Sequence, residues 1–190
     1  MKINLRSNSV LFFVFCISGM LLSSCSSPKA KARPYDLTVD DLASMVLGKK
    51  LSELSDFNGA YRIRDTILSS EDDDTEWKGE AYYENNTLLF IAEANWVDSI
   101  HVSRITIYSN MISTKTNIHI GCTFYEIKDY VSSKVPTVPD GYLSLDDKSN
   151  KKISYWFNIE KYPQLTYGVK SIWEIPKNLA IQYIVVMENP

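Results

Sequence analysis

Most of the chain consists of short runs in which apolar and polar residues alternate, and this pattern predicts β-strands. Asn85 and Asn86 separate two of the runs by only two residues, which predicts a tight hairpin turn. The predicted strands cover residues 61–67, 77–84, 87–96, 102–109, 141–145, 152–158, 168–175 and 179–187. Four strands therefore fall in each half of the chain.

Two helix starts interrupt the strand pattern. Thr38 precedes an apolar stretch and has Asp41 three residues later, the spacing at which a threonine caps a helix and the acid caps it in return. Gly48 suits the end of this helix. Thr123 and Glu126 repeat the same spacing and predict a second helix of two or three turns.

The order of elements predicts an α+β fold, mainly antiparallel sheet with a few short helices. Residues 47–57 and 120–130 resemble each other in their glycine, their acidic residues and their apolar positions. The sequence leaves two interpretations open. Residues 35–190 form one domain, or they form two tandem helix-plus-four-strand repeats of about 35–112 and 113–190.

The N-terminus has the pattern of a secretory leader. Lys2 and Arg6 precede an apolar run over 10–22, which is too short to serve as a permanent membrane-spanning helix. The following Leu22-Ser23-Ser24-Cys25 resembles the lipobox of bacterial lipoproteins. This resemblance implies that residues 1–24 are a signal peptide and that Cys25 becomes the acylated first residue of the mature protein.

Residues 25–34 read as a flexible lipidated tether with three basic side chains. Ser26 stands where an aspartate often signals retention in the inner membrane, so we expect the outer membrane. The predicted contact with the membrane is the lipid on Cys25, with the folded part facing the periplasm and surface display left open.

Charge argues against a nucleic-acid partner. The whole chain carries a formal charge of −3, and loss of the leader removes two of 20 basic and none of 23 acidic residues, leaving −5.

The cysteines of the mature protein can be counted in the same way: Cys16 leaves with the leader and Cys25 is lipidated. We therefore expect Cys122 to have no disulfide partner and to act as a small buried apolar residue.

Motifs for catalysis or metal binding do not stand out. His101 and His119 have no cysteine or glutamate at ligand spacing, and the acidic run 71–74 with Glu76 lacks the glycine and terminal glutamate of a calcium loop. The chain contains neither a Gly-x-Ser-x-Gly elbow nor a phosphate-binding glycine loop. We expect no enzyme activity, no metal and no cofactor.

Aromatic residues are abundant, with 12 Tyr, seven Phe and four Trp. Two accounts remain: a sheet with a helix layer on one face and partial cover on the other, or a half-exposed aromatic patch that binds a partner protein, peptidoglycan or a lipid-like ligand. On strand alternation Tyr82 shares a face with Glu80 and Glu84, and Trp156 lies beside Ser154 and Asn158. Their polar neighbours make Tyr82 and Trp156 the candidate partner contacts.

A family resemblance supports the envelope context. Residues 59–64, 102–107, 118–124, 152–157 and 169–173 resemble, in order, successive blocks of the RpoE-regulated lipoprotein family, a domain of unknown function. The resemblance implies an outer-membrane protein of envelope maintenance or stress response and supplies no catalytic residues. A weaker likeness, at the level of the fold, is to the repeats of β-lactamase-inhibitor-like envelope lipoproteins.

The sequence thus predicts a membrane-anchored, non-enzymatic binding or accessory protein. The alternative is a carrier of a small apolar ligand. An apolar cavity would favour the carrier, and a flat aromatic patch would favour a protein partner.

Overall fold

The structure is a computed structural model that describes residues 37–54, 61–69, 75–132, 134, 136, 138, 141–166 and 168–188. Within these ranges seven strands form one antiparallel sheet of order β1-β2-β3-β4-β7-β6-β5. They are β1 Arg62–Ser69, β2 Glu76–Glu84, β3 Thr87–Ala94, β4 Val102–Ile107, β5 Tyr142–Asp146, β6 Ile153–Asn158 and β7 Tyr183–Met187. The predicted α+β class with a dominant antiparallel sheet is confirmed.

The helices are short: α1 Val39–Val46, α2 Leu51–Leu54, α3 Phe124–Ile127, α4 Pro163–Thr166 and a 3₁₀ helix Ile172–Glu174. Helix α1 begins as its sequence predicts, because the Thr38 side chain accepts a hydrogen bond from the Asp41 amide and the Asp41 carboxylate accepts one from the Thr38 amide. It ends before Gly48, whose φ of +74° suits glycine.

The hairpin between β2 and β3 also follows its prediction. Asn85 and Asn86 have φ values of +47° and +69°, the two positive angles that a type I′ turn requires. Glu84 and Thr87 pair directly across this turn. The two asparagines therefore set the register at the start of this hairpin.

Three local predictions need correction. Helix α3 has one turn only, and α2 was not expected. The strand predicted over 168–175 is wrong, since this segment is a loop with the 3₁₀ helix. Its apolar Val169 and Ile175 are buried as separate anchors. The position between β4 and β6 is taken by β7 and not by this segment.

The sheet has two different faces. On one face, here called the core face, the buried side chains of α1 and α3 join one cluster with Ile105 and Ile107 of β4 and Ile184 and Val186 of β7. Alternate residues of the same strands point to the other side, here called the outer face. Buried outer-face residues such as Ile91 and Val185 lie outside that cluster.

Each half of the sheet contains a junction of the same kind, in which a glycine precedes a one-turn helix and both are hydrogen-bonded to a neighbouring segment. Gly48 and Gly121 both have positive φ values, and a one-turn helix begins three residues after each of them. The hydrogen bonds Gly48 N to Val102 O, Val102 N to Lys49 O and Leu51 N to Ile100 O have as counterparts Gly121 N to Ile181 O, Ile181 N to Cys122 O and Phe124 N to Leu179 O.

Strand order shows the same correspondence, because β4-β3-β2 and β7-β6-β5 run outward from the central β4·β7 pair in opposite directions. An internal repeat would produce such an arrangement. Within the described residues, the second half nevertheless has three strands and not the four that the sequence pattern predicted.

Candidate binding site

The outer face carries a row of mostly small side chains, with one isoleucine, that crosses five strands. Ala81, Ile91, Thr106, Val185 and Ser154 are neighbours in the register of β2, β3, β4, β7 and β6. None of them is more than 8% exposed. Since small side chains cannot shield one another from water, we attribute their burial to the larger side chains beside them on this face.

Those larger side chains are mostly aromatic. Six half-buried rings lie on the outer face: Trp77, Tyr83, Tyr108, Tyr142, Trp156 and Tyr183. Half-buried aromatic rings therefore lie beside and over the buried row on this face. A surface of half-buried tyrosine and tryptophan is typical of the centre of a protein interface.

Four of the rings form one cluster. The ring of Tyr183 lies 5.2 Å from that of Tyr108 and 5.3 Å from that of Tyr142, and Tyr142 lies 6.1 Å from Trp156. The hydroxyls of Tyr142 and Tyr183 are 3.0 Å apart and share a hydrogen bond. Trp156 Nε1 donates to Ser154 Oγ at 2.9 Å. These polar contacts fix the orientation of the rings.

Two of the cluster tyrosines, Tyr108 and Tyr142, have raised pKa values. The hydrogen bond with Tyr183, followed by burial, raises the pKa of Tyr142 to about 12. Burial is the main cause that raises the pKa of Tyr108 to about 12. Both hydroxyls therefore keep their protons at physiological pH.

A surface cleft of about 420 Å³ opens at the other end of the outer face. Trp77, Trp96 and Met187 are among its apolar walls, and Glu93 and Arg104 are among its polar residues. A register shift between β3 and β4 leaves Ser103 as an extra residue, and both Ser103 and Arg104 line the cleft. The bulge thus helps to place the arginine.

Glu93 is almost completely buried, with 2% of its side chain exposed. Its Oε2 lies 3.0 Å from Arg104 Nη2 and accepts a hydrogen bond of 3.0 Å from Trp77 Nε1, while Oε1 accepts one from the Thr106 hydroxyl. The guanidinium of Arg104 also lies 6.0 Å from the Trp77 ring centre. The ion pair therefore anchors one tryptophan wall of the cleft.

The other tryptophan wall belongs to a loop held by its own hydrogen bonds. Asn95 Oδ1 accepts from the Val97 amide at 2.8 Å, and Asp98 Oδ1 accepts from the amides of Ile100 and His101 at 2.8 and 3.1 Å. These backbone bonds, together with the hydrogen bond to the His101 side chain, lower the pKa of Asp98 to about 2. The loop presents Trp96 with 69% of its surface exposed.

A second cavity, of about 370 Å³, lies next to β5. Four lysines line it together with the exposed Trp173: Lys128, Lys134, Lys148 and Lys151. Asp129, Asp146 and Asp147 offset most of their charge. This cavity is the weaker candidate because its net charge is no larger in size than that of the first cleft and it has one tryptophan wall where the cleft has two.

The structure separates the two predicted contact residues. Trp156 lies half-buried on the outer face, within the ring cluster. Tyr82 lies on the core face with 0% exposure, stacked on Phe90 at a ring distance of 4.3 Å. The expectation that Tyr82 is an exposed contact is wrong, because its neighbour Glu80 is itself buried and accepts a 2.7 Å hydrogen bond from the Tyr82 hydroxyl.

The third predicted site residue, Cys25, lies outside the described residues, as do the acidic positions 71–74. Cys122 is 1% exposed, as expected of a small buried residue. It is also disulfide-bonded, so the expectation that it has no disulfide partner is wrong.

The histidines have local partners. His101 Nδ1 lies 2.9 Å from Asp98 Oδ2, and His119 Nδ1 lies 2.8 Å from the Ile120 carbonyl oxygen. Among the residues that the structure describes, no group of three or more His, Cys, Asp or Glu side chains is placed to hold a metal ion. None of the helices in the same part of the chain has the length and hydrophobicity of a membrane span.

The sequence pattern did not single out Glu93 and Arg104. The available signal was weak: an acid in the otherwise apolar run of β3 and a base in the mainly apolar β4. Their positions point to an ion pair only when the two strands are known to be neighbours.

Comparison with known proteins identifies a shared fold. No protein-family model matches the chain, and no curated protein matches it. The chain is similar to the crystal structure of the uncharacterized protein YfeY from Escherichia coli, with a TM-score of 0.54 and 18% sequence identity. The similarity covers 75% of this chain and 96% of that one, so the two proteins share their fold.

Proposed function

We propose that this protein is a lipid-anchored envelope protein that acts by binding another protein through its outer face, without catalysis. The observation that carries this proposal is the set of half-buried tyrosine and tryptophan rings on the outer face. Tyrosine, tryptophan and arginine are the residues that most often dominate binding energy at protein interfaces. Here the rings are joined by Arg62 and Arg64, whose guanidinium carbons lie 5.4 and 5.3 Å from the Tyr83 ring centre.

The carrier alternative receives less support. The larger of the two cavities is a surface cleft that contains Glu93, Arg104 and Glu188 as well as apolar walls. An apolar ligand would have to bury these charged groups, which costs free energy. The half-buried aromatic rings of the outer face fit a protein surface better.

The envelope context rests on the sequence. The lipobox at Cys25 supports acylation, and Ser26 supports sorting to the outer membrane with the folded part in the periplasm. The fold shared with YfeY is compatible with membership of the RpoE-regulated lipoprotein family, which we also propose. Separation of inner and outer membranes would test the location. Mature protein found only in the inner membrane would contradict it.

Site-specific photocrosslinking in living cells tests the binding surface. A benzophenone amino acid would replace Trp156 in the full chain, and as a matched control it would replace Tyr125, an aromatic residue of α3 with 54% exposure. We expect a protein adduct of one discrete mass at position 156 and none at position 125. Equal adducts at both positions, no adduct at position 156, or an adduct with lipid alone would overturn the proposal.

A further inference from the structure

We propose that the cleft lined by Trp77, Trp96, Met187 and Glu188 binds an alkylammonium group, the chemistry of a lysine side chain. This inference rests on the proposed function and deepens it, because it names a side chain that the protein partner inserts. Three properties of the cleft support it: its charge, its ring geometry and its size.

The charged groups of the cleft do not cancel. Glu93 and Arg104 form an ion pair at 3.0 Å, and Glu93 also accepts hydrogen bonds from Trp77 and Thr106. Glu188 makes no ion pair or side-chain hydrogen bond with any residue in the described part of the chain. The lining therefore carries one uncompensated negative charge, which favours a cation.

The absence of a side chain at Gly48 leaves room for this carboxylate. A Cβ atom at position 48 would lie 3.1 Å from Glu188 Oε1, closer than ordinary van der Waals contact. The Glu188 amide also donates to the Ser103 carbonyl oxygen at 2.9 Å, next to Arg104 in the lining of the cleft. Glu188 is thus fixed just after β7 by its backbone, while its side chain stays available.

The aromatic walls suit a cation as well. The Trp77 ring already accepts the Arg104 guanidinium on one side. Trp96 makes no ring or cation contact with other described residues. It is 69% exposed, and it lies on a loop that its own hydrogen bonds hold in place. A tryptophan face is the best ring partner for an ammonium group, and a fixed loop lowers the entropy cost of binding.

The size and shape of the cleft fit a side chain. Its volume of about 420 Å³ lies at the lower end of the range of small-ligand sites. The aliphatic stem of a lysine can pack on Met187 and the indoles, with the ammonium near Glu188. A free alkylamine offers the same chemistry, and a titration with both compounds separates the two sources.

The four tryptophans of the chain allow a direct test. The full chain, labelled with ¹⁵N and held in a maltoside micelle without cationic head groups, would be titrated with N-acetyl-lysine-N-methylamide while the indole N–H signals are followed. We expect the signals of Trp77 and Trp96 to shift with a Kd of about 1 to 10 mM. Trp156 and Trp173 lie outside the cleft, so their signals should not shift.

Three matched ligands sharpen this test. The norleucine analogue has the same stem without the charge and should bind at least about five-fold more weakly. The glutamate analogue should not shift the cleft signals. If it shifts them more than the lysine analogue does, the inference is wrong and Arg104, whose Nε is buried without a hydrogen-bond partner in the described residues, binds an anion instead. Butylamine should bind no more tightly than the lysine analogue, and tighter binding would assign the site to free amines.

Two variants and a control complete the design. Glu188→Gln should weaken lysine-analogue binding about five-fold, and Trp96→Ala should abolish it, whereas Trp173→Ala, at an 80% exposed tryptophan, should change nothing. Equal binding of the lysine and norleucine analogues, or no shift at about 30 mM ligand, would overturn this inference. Neither result bears on the crosslinking experiment at position 156, so the two proposals can fail separately.

Discussion

The Tyr82 hydroxyl donates a 2.7 Å hydrogen bond to Glu80 Oε2, two residues earlier on the same strand, and both side chains are buried on the core face. A carboxylate in this position gives β2 a polar contact inside the protein. It also explains why an acid near an aromatic residue does not mark an exposed strand face here.

Alanine substitutions at the two predicted contact residues should therefore give opposite results. Tyr82→Ala removes a fully buried ring that stacks on Phe90, and we expect a loss of about 3 to 5 kcal/mol in the free energy of unfolding. Trp156→Ala removes a half-buried ring of the outer face and should cost less than half of that. Urea unfolding of both variants checks this. Equal losses would show that the outer face is as tightly packed as the core.

The charge of Glu80 should make stability depend on pH. Burial, with a smaller contribution from the nearby Asp65, raises the pKa of Glu80 above its ordinary value of 4.5. The folded state therefore binds a proton more tightly than the unfolded state, and this group's contribution to stability is full at low pH and is lost as pH rises through the folded pKa.

Glu80→Gln keeps an oxygen that accepts from Tyr82 and removes the charge. We expect the variant to be at least as stable as the parent at pH 7 and to lose the fall in stability that the parent shows as pH rises above about 4.5. Asp65→Asn is the matched control and should reduce that fall only in part. Thermal melts across this pH range measure it, and an unchanged pH profile in Glu80→Gln would contradict the assignment.

Arg104 should matter to stability through Glu93. Arg104→Ala leaves a carboxylate that is 2% exposed without its ion-pair partner, although Trp77 and Thr106 still donate to it. We expect a loss of about 2 kcal/mol in the free energy of unfolding, measured by urea titration. Arg104→Ala combined with Glu93→Gln should recover part of this loss, because the buried charge is gone. A double variant as unstable as the sum of its single changes would show that the two side chains act independently.

Cys25→Ser tests the predicted lipid anchor. The lipobox ends at Cys25, so the variant should keep residues 1–24 and take up no lipid label. Metabolic labelling with a palmitate analogue, read against the parent chain and against Cys122→Ser, measures this. Label in Cys25→Ser would refute acylation at this residue, and loss of label in Cys122→Ser would point to a different modified cysteine.

Local patterns were enough for much of the fold. Seven of the eight predicted strands, the cap at Thr38 and the asparagine turn are present, because each depends on alternation or on contacts only a few residues apart. The failed strand over 168–175 shows the limit. Its apolar residues resemble those of a strand, but Val169 and Ile175 are buried by packing into the core cluster and not by pairing in the sheet, which no local pattern distinguishes.

The sequence by itself determined which residues share a face of a strand, since side chains alternate along extended backbone: Trp77, Ala81 and Tyr83 lie together on β2, opposite Tyr82. Only the tertiary structure decided which face the helices cover, and so which rings are core and which remain available. The cleft is likewise a product of the tertiary structure. Glu93, Arg104 and Glu188 come from β3, β4 and the end of β7, whose pairing is set by the packing of the whole sheet, and no local pattern records that they meet.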